Sequence, residues 1–142
     1  MFYQVIDRGG ESCKVPSEKL RALKNKLYNP DVEYVEIANY VESSGSSMIA
    51  YVCMKGARLG YLDASYAKKG REIYEAIFDH SYSDGKLNDI CITAGLGPAT
   101  NPVRDGTFAY YLAEPVGSND AKGIGPFIMA YLEYTQNVDE DL

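Results

Sequence analysis

Two consecutive helical patterns of different kind constrain this chain most. From about Ser43 to Leu59, Met48, Ile49, Val52 and Leu59 recur near helical spacing, and Tyr51, Met54 and Ala57 widen the apolar surface beyond one stripe. Such a helix has to be covered on most sides, as between two layers of helices. Ser43 or Ser44 can cap it, and Gly60 is a natural stop. From Asp63 or Ser65 to about His80 the pattern turns one-sided. Ala67, Ile73, Tyr74, Ile77 and Phe78 read as inward, and Lys68, Lys69, Arg71, Glu72 and Glu75 as outward. An inner helix followed by an outer one predicts a mainly α fold built in layers.

The flanks are more broken. Met1 to Asp7 reads as a short extended segment. Arg8 to Asn39 reads as an excursion in which Gly9-Gly10 is a break. Within it Pro16-Ser17-Glu18 opens a short helix with Leu20, Leu23 and Leu27 on one face. Asn29-Pro30-Asp31 ends that helix, because the residue before a proline is pushed out of helical geometry. Val32 to Ile37 is a brief strand. Ser83-Asp84-Gly85 is a turn. Ile90 to Thr93 and Phe108 to Leu112 read as extended pieces around a long loop rich in glycine and proline. A final helix is expected from Gly125 or Pro126 to about Gln136, with Asp139-Glu140-Asp141 as a solvated tail.

At 142 residues, 46% hydrophobic, the chain can bury one core, so residues 1–142 read as a single domain or part of one. The net charge of −6, with no basic stripe, excludes a nucleic-acid partner. Cys13, Cys53 and Cys91 are odd in number and lack metal-ligand spacing. Neither a disulfide framework nor a metal site is expected, and no cofactor. No signal-peptide pattern opens the chain and no apolar run approaches membrane-spanning length. A cytoplasmic location is the expectation, periplasmic or secreted if a leader is missing.

Three stretches in order carry a resemblance. The first is Tyr3-Gln4-Val5-Ile6-Asp7. The second is Asn39-Tyr40-Val41-Glu42-Ser43-Ser44-Gly45-Ser46-Ser47-Met48, continuing to Lys55-Gly56-Ala57-Arg58-Leu59-Gly60-Tyr61-Leu62. The third runs from Ala94-Gly95-Leu96-Gly97 through Arg104-Asp105-Gly106-Thr107-Phe108-Ala109-Tyr110-Tyr111 and Glu114-Pro115 to Asn119-Asp120-Ala121-Lys122-Gly123-Ile124-Gly125-Pro126-Phe127. Together these resemble the C-terminal part of the unsaturated rhamnogalacturonyl hydrolases, glycoside hydrolase family 105, related to the family 88 unsaturated glucuronyl hydrolases. Residues 8–38 fit least and read as an insertion.

The resemblance implies the C-terminal segment of a six-hairpin α/α barrel, with a few short strands in the loops that bind an unsaturated uronic acid. It further implies a reaction in which an aspartic acid protonates the C4=C5 bond, water adds at C5, and the hemiketal opens to release the sugar. That departs from two-carboxylate displacement, but one carboxyl group doing both acid and base work still needs a tuned pKa. The catalytic aspartate is expected in the earlier part of such enzymes, so no catalytic residue is assigned here. The implied partners are an unsaturated uronic-acid oligosaccharide and either a second copy of the chain or an N-terminal fragment, with no membrane. A half-barrel would expose Met48, Val52, Phe127 and Met129. The alternatives are an inactive remnant that folds by such association, or a sugar-binding module.

The candidate substrate-binding residues are Glu42, Ser43, Ser44 and Ser46, Arg104, and Asp120 with Lys122. The first four open the inner helix, where free N–H groups collect, and a capping cluster without ligand is the competing reading. Asn119 or Asp120 can cap the last helix, and Lys122 could pair with a sugar carboxylate or simply be exposed. Arg104 and Asp105 can contact a sugar or hold the loop by ion pairing. One of Tyr110 and Tyr111 can stack on a sugar, the core being the other destination. His80 reads as a helix C-terminal cation.

Overall fold

The computed structural model describes residues 1–136; Asp139-Glu140-Asp141 lies outside them. The element order is β1 (Phe2–Tyr3), a 3-10 turn (Ile6–Arg8), β2 (Ser12–Pro16), α1 (Ser17–Ala22), β3 (Tyr34–Ala38), β4 (Val41–Glu42), α2 (Ser43–Arg58), α3 (Ser65–Ser81), β5 (Tyr82–Ser83), β6 (Lys86–Leu87), β7 (Ile90–Cys91), α4 (Phe108–Ala113), β8 (Val116–Gly117) and α5 (Ala121–Gln136). The fold is mainly α with short strands. It resolves into two compact units, one of Met1–Phe2, Glu42–Ile90 and the chain from Ser118, the other of Tyr3–Val41 and Cys91–Gly117.

In the first unit α3 and α5 both pack on α2. The contact face of α2 is made of small residues: Ser43, Ser46, Ser47, Ala50 and Gly56 are buried with Met54. Small side chains let the neighbouring helices approach closely. At Gly70 of α3, an added Cβ would lie 2.6 Å from Met54 Cγ and 2.9 Å from the Ala50 carbonyl oxygen. This corrects the expected orientation of α2. Met54 apart, its larger apolar residues are not on the packed face: Met48 and Val52 are 46% and 57% exposed, as is Leu59 just after the helix at 46%. Phe78 of α3, expected inward, is exposed as well.

The core of this unit joins Ala50, Met54, Tyr74, Ile77, Leu87, Ile90, Phe127 and Ala130. Tyr74 stacks on Phe127 with ring centroids 5.2 Å apart, so Phe127 is core rather than exposed half-barrel surface. Each large apolar side chain fully removed from water contributes about 1.5–3 kcal/mol. The predicted turn joins β5 to β6, which pair antiparallel. Asp84 and Gly85 both take positive φ, 50° and 71°, as a two-residue hairpin connection requires.

α5 begins at Ala121, four or five residues before the expected start. The Asp120 side chain accepts from Lys122 N at 3.0 Å and its carbonyl from Gly123 N and Ile124 N. The cap therefore sets the first turn, and Pro126 lies inside the helix. Proline is tolerated this near the start because few intrahelical bonds are forfeited.

In the second unit β2 and β3 form an antiparallel pair with Val15 opposite Val35 and Cys13 opposite Ile37. Val15, Leu20, Ile37, Leu112 and Ala113 make its core. The expected strand at 32–37 is β3, whereas β2 went unrecognised. The opening extended segment is only β1, followed by the 3-10 turn. α1 ends at Ala22, well before Asn29-Pro30, and Leu27 is 53% exposed. The cause is local. Lys24 turns into left-handed backbone at φ 57°, and the Asn25 amide donates to Ala113 O at 2.9 Å while its Oδ1 accepts from Leu27 N.

Phe108 to Leu112, expected as extended, is the helix α4. The Thr107 hydroxyl accepts from Tyr110 N at 3.2 Å and Asp105 Oδ1 accepts from Thr107 N at 3.0 Å, which caps the turn. Tyr110 and Tyr111 thus sit about 100° apart on a helix rather than on opposite faces of a strand.

Candidate functional site

Six of the seven candidate residues belong to the first unit, in two clusters on one base. That base is the segment 87–89. Ser43 N donates to Asp89 O at 2.9 Å and Ser43 Oγ to Asn88 O at 2.6 Å, which fixes the start of α2. Asn119 N donates to Leu87 O at 2.8 Å, Leu87 N to Asn119 Oδ1 at 2.9 Å, and Ser118 Oγ to Asn88 Oδ1 at 2.6 Å, which fixes the approach to α5. Asn119 reaches this geometry through left-handed backbone at φ 56°, which asparagine tolerates. The N-termini of α2 and α5 are thereby tied to one strip of chain.

Glu42 is the cap of α2, in place of the serines expected there. Its carboxylate accepts from Ser44 N at 3.2 Å, Gly45 N at 2.6 Å and Ser44 Oγ at 2.7 Å. Ser43 and Ser46 are wholly buried. The Ser43 hydroxyl is spent on Asn88 O, and Ser46 Oγ accepts from Phe2 N at 2.8 Å. These two hold the scaffold, while Ser44 is half-buried. Replacing Glu42 by alanine should lower stability by about 1–2 kcal/mol, because two helix-start N–H groups lose an anionic acceptor. Urea unfolding checks this, and Glu42→Gln should recover part of the loss.

Lys122 Nζ donates to Asp120 Oδ1 at 2.6 Å, so these two candidates pair with each other. The lysine hydrogen bond is the main reason the Asp120 carboxyl sits below the ordinary carboxylate range, with the Lys122 backbone N–H second. His80 lies in the last turn of α3, its Nε2 4.0 Å from Asp89 Oδ2, and the Ser81 hydroxyl donates to that same oxygen at 2.8 Å.

Arg104 stands in the second unit. Its Nη1 lies 3.2 Å from Glu114 Oε1 and donates to the Tyr110 hydroxyl at 3.3 Å. Glu114 is fully buried and also accepts from the Tyr110 hydroxyl. Tyr110 is core, as one of its two readings had it, and burial followed by the Glu114 hydrogen bond pushes its phenol up to about 12. Asp105 pairs elsewhere, with Lys19 Nζ at 2.7 Å, and that hydrogen bond heads the causes that bring its carboxyl down to about 2. The loop is held by two ion pairs, as the ion-pair reading requires.

Sequence reasoning missed Arg58 and Glu133. The guanidinium of α2 donates from Nε and Nη2 to the two Glu133 oxygens, each at 2.8 Å, tying α2 to α5. The Arg58 hydrogen bond lowers the Glu133 carboxyl below its ordinary value, against a smaller opposing effect of burial. A depressed carboxylate adds stability above the unfolded pKa of about 4.5 and loses it as pH falls through the folded value. Arg58→Met should therefore cost about 2–3 kcal/mol at pH 7. The deficit should shrink as pH falls below about 4.5 and through the depressed folded value of Glu133, where the wild type loses its ion pair too. A deficit independent of pH would assign the loss to packing. The aromatic pocket of about 420 Å³ between α3 and α5 was also missed; Tyr74, Phe78, Tyr131 and Tyr134 line it with Glu75 and Asp79. Its residues are spread over two helices, so no linear motif announces it.

Among the described residues no group of three or more histidine, cysteine, aspartate or glutamate side chains could hold a metal ion. No described helix is long and apolar enough to cross a membrane.

Comparison with known proteins gives these geometries a family. The Glycosyl Hydrolase Family 88 profile matches residues 19–138. Two curated relatives, Protein Atu3128 of Agrobacterium fabrum and the 24.9 kDa protein in picA locus of Rhizobium radiobacter, are each 43% identical over 104 residues, covering 67% of this chain and 45% of theirs. A solved glycoside hydrolase from family 105 of C. acetobutylicum ATCC 824 superposes with a TM-score of 0.68 at 39% identity. The match covers 95% of this chain and 31% of that one. The chain thus spans less than half the length of the curated relatives and about a third of the solved one. The helices described above are those of a partial α/α barrel, and the chain belongs to Glycosyl Hydrolase Family 88.

Proposed function

We propose that this chain supplies part of the sugar cleft of a glycoside hydrolase that removes an unsaturated uronic acid from pectin-derived rhamnogalacturonan oligosaccharides by hydrating the C4=C5 bond. The observation that carries the reading is the convergence of the α2 and α5 N-termini on segment 87–89 in a family 88 chain. With the first N–H groups of both helices taken by Glu42 and Asp120, what is left to meet a sugar acid is the side chains there, the Ser44 hydroxyl and the Lys122 cation. In this reading Ser44, Asp120 and Lys122 meet the sugar, Glu42 organises the first turn of α2, and Ser43 and Ser46 hold it from behind. The protonating aspartate belongs to the part of the barrel that the resemblance assigns to earlier sequence.

The test is the absorbance of the C4=C5 chromophore of an unsaturated rhamnogalacturonan disaccharide. The expected result is saturable binding by this chain alone with the chromophore intact, and loss of the chromophore when the remaining barrel helices of a family member are supplied. Neither binding nor turnover in either case overturns the reading. Binding without turnover in both cases leaves a sugar-binding module instead.

A second reading, assembly with another helical segment or with a second copy, is supported by α5. Its Ile128, Met129, Tyr131 and Leu132 are all at least 44% exposed, and no Asp, Glu, Lys, Arg or His lies between Lys122 and Glu133. A helix apolar on both faces is stable when covered on both. Sedimentation that gives a stable, well-folded monomer at high concentration would count against it.

A further inference from the structure

The aromatic pocket between α3 and α5 lies wholly within the first unit, and none of its lining residues belongs to the two helix starts assigned to the sugar. Its volume of about 420 Å³ falls in the range of small-molecule sites. Tyr74, Glu75, Phe78 and Asp79 share one face of α3, at i, i+1, i+4 and i+5, while Tyr131 and Tyr134 sit at i and i+3 on α5. The Tyr74 ring lies 4.9 Å from that of Tyr134 and 6.2 Å from that of Tyr131, tilted by 36° and 38°. The three rings therefore splay as walls instead of closing into a flat stack. Phe78 and Tyr131 are 48% and 50% exposed, which leaves ring surface open to an occupant.

The charges give the sign of that occupant. Two carboxylates, Glu75 and Asp79, line the pocket, and no lysine, arginine or histidine does. The Asp79 carboxylate has no hydrogen-bond or ion-pair partner among the described residues. Glu75 Oε1 accepts from the Tyr134 hydroxyl at 2.9 Å. One ring of the set already carries a cation: the Arg71 guanidinium carbon lies 4.5 Å from the Tyr134 ring centroid, and its Nη1 donates to Tyr134 O at 3.2 Å. Aromatic faces beside unpaired carboxylates favour a cation that sheds its water easily. Rings outnumber acceptors here, and that chooses among cations. An ammonium or guanidinium would bring several N–H donors to a lining that is mostly ring carbon, whereas a quaternary nitrogen has none to satisfy.

We propose that this pocket is a binding site for a small quaternary ammonium compound. The rings of Phe78, Tyr131 and Tyr134 receive the cationic head, and Asp79 and Glu75 supply the opposite charge. The site is distinct from the proposed sugar cleft, and it stands or falls independently of the hydrolase reading.

The test titrates choline into the isotope-labelled chain at constant ionic strength, following amide shifts. Two controls accompany it: the neutral isostere of choline, with carbon in place of the quaternary nitrogen, and methylguanidinium. The expected result is saturable choline binding with shifts at residues 74–79 and 131–134, and binding of both controls at least about fivefold weaker. Tyr131→Leu removes a ring but keeps apolar surface, and Asp79→Asn removes a charge. Both side chains are exposed, so thermal stability should not change, and each variant should bind choline at least about threefold more weakly. The isostere comparison on the wild type needs no variant to fold. Absence of saturable choline binding, equal binding of the isostere, or wild-type affinity in both variants each overturns the proposal. Methylguanidinium binding as tightly as choline overturns the quaternary assignment. The same shifts appearing when the chain alone is concentrated overturn it in favour of an interface between copies.

Discussion

Arg104→Met is expected to destabilise the second unit by about 3–5 kcal/mol, the range for removing one partner of a buried ion pair. Glu114 is 0% exposed, and Arg104 Nη1 at 3.2 Å is the cation paired with it. Its Oε2 already has no hydrogen-bond partner, so the carboxylate has little reserve once the guanidinium is gone. The Tyr110 hydroxyl would remain as a donor to Oε1. One neutral donor cannot balance a desolvated charge. The double variant Arg104→Met with Glu114→Gln should recover more than half of the loss, because it removes the charge as well as its partner. Urea unfolding, with amide exchange read in β2 and β3, resolves the effect to this unit. A loss under about 1 kcal/mol would deny the ion pair its structural role.

What the sequence disclosed follows the physics of local signals. The α2 and α3 patterns were legible because helical spacing repeats over four turns, and the Asp84-Gly85 hairpin because positive φ selects those residues. The facing of α2 was not legible. Ranking by hydrophobicity puts Met48 and Val52 inside, but the buried residues of α2 are Ser43, Ser46, Ser47, Ala50, Met54 and Gly56, and α3 approaches at Ala50 and Met54 because Gly70 has no side chain. α4 was missed because Phe108-Ala109-Tyr110-Tyr111 suits a strand by composition, whereas the Asp105 and Thr107 caps impose a helical turn. The candidate site divides the same way. Asp120 was legible as a helix cap, whereas at α2 the cap expected of Ser43 or Ser44 is Glu42. The Arg58–Glu133 and Arg104–Glu114 pairs were not legible, since their partners lie 75 residues apart in one case and have no shared motif in the other. The resemblance supplied what periodicity could not, the order of motifs that marks the family.

Gly70→Ala is expected to lower stability, against the usual sign for a helical glycine. Alanine is favoured over glycine inside a helix by about 0.8–1 kcal/mol, so propensity alone predicts a gain at this position in α3. Packing opposes it. The new Cβ would meet Met54 Cγ at 2.6 Å, the Ala50 carbonyl oxygen at 2.9 Å and Met54 N at 3.0 Å. Met54 can turn its side chain, but two of the three atoms are backbone of α2. Relief therefore requires α2 and α3 to separate, which loosens the contact of Ala50, Met54, Tyr74 and Ile77 at the centre of the core. Overpacking of this kind costs about 1–3 kcal/mol and more for a larger insertion. A net loss of about 1–2 kcal/mol is expected for Gly70→Ala, and at least about 3 kcal/mol for Gly70→Leu. Gly56→Ala provides the contrast on α2 itself. There the Cβ meets Leu62 Cδ1 at 2.8 Å and Leu62 Cγ at 2.9 Å, side-chain atoms at the connection between the helices that can move aside. The propensity gain should then roughly cancel the contact, leaving stability within about 1 kcal/mol of the wild type. Thermal and urea unfolding of the three variants decide the matter. Gly70→Ala as stable as Gly56→Ala would mean that α3 does not approach the α2 backbone this closely in solution.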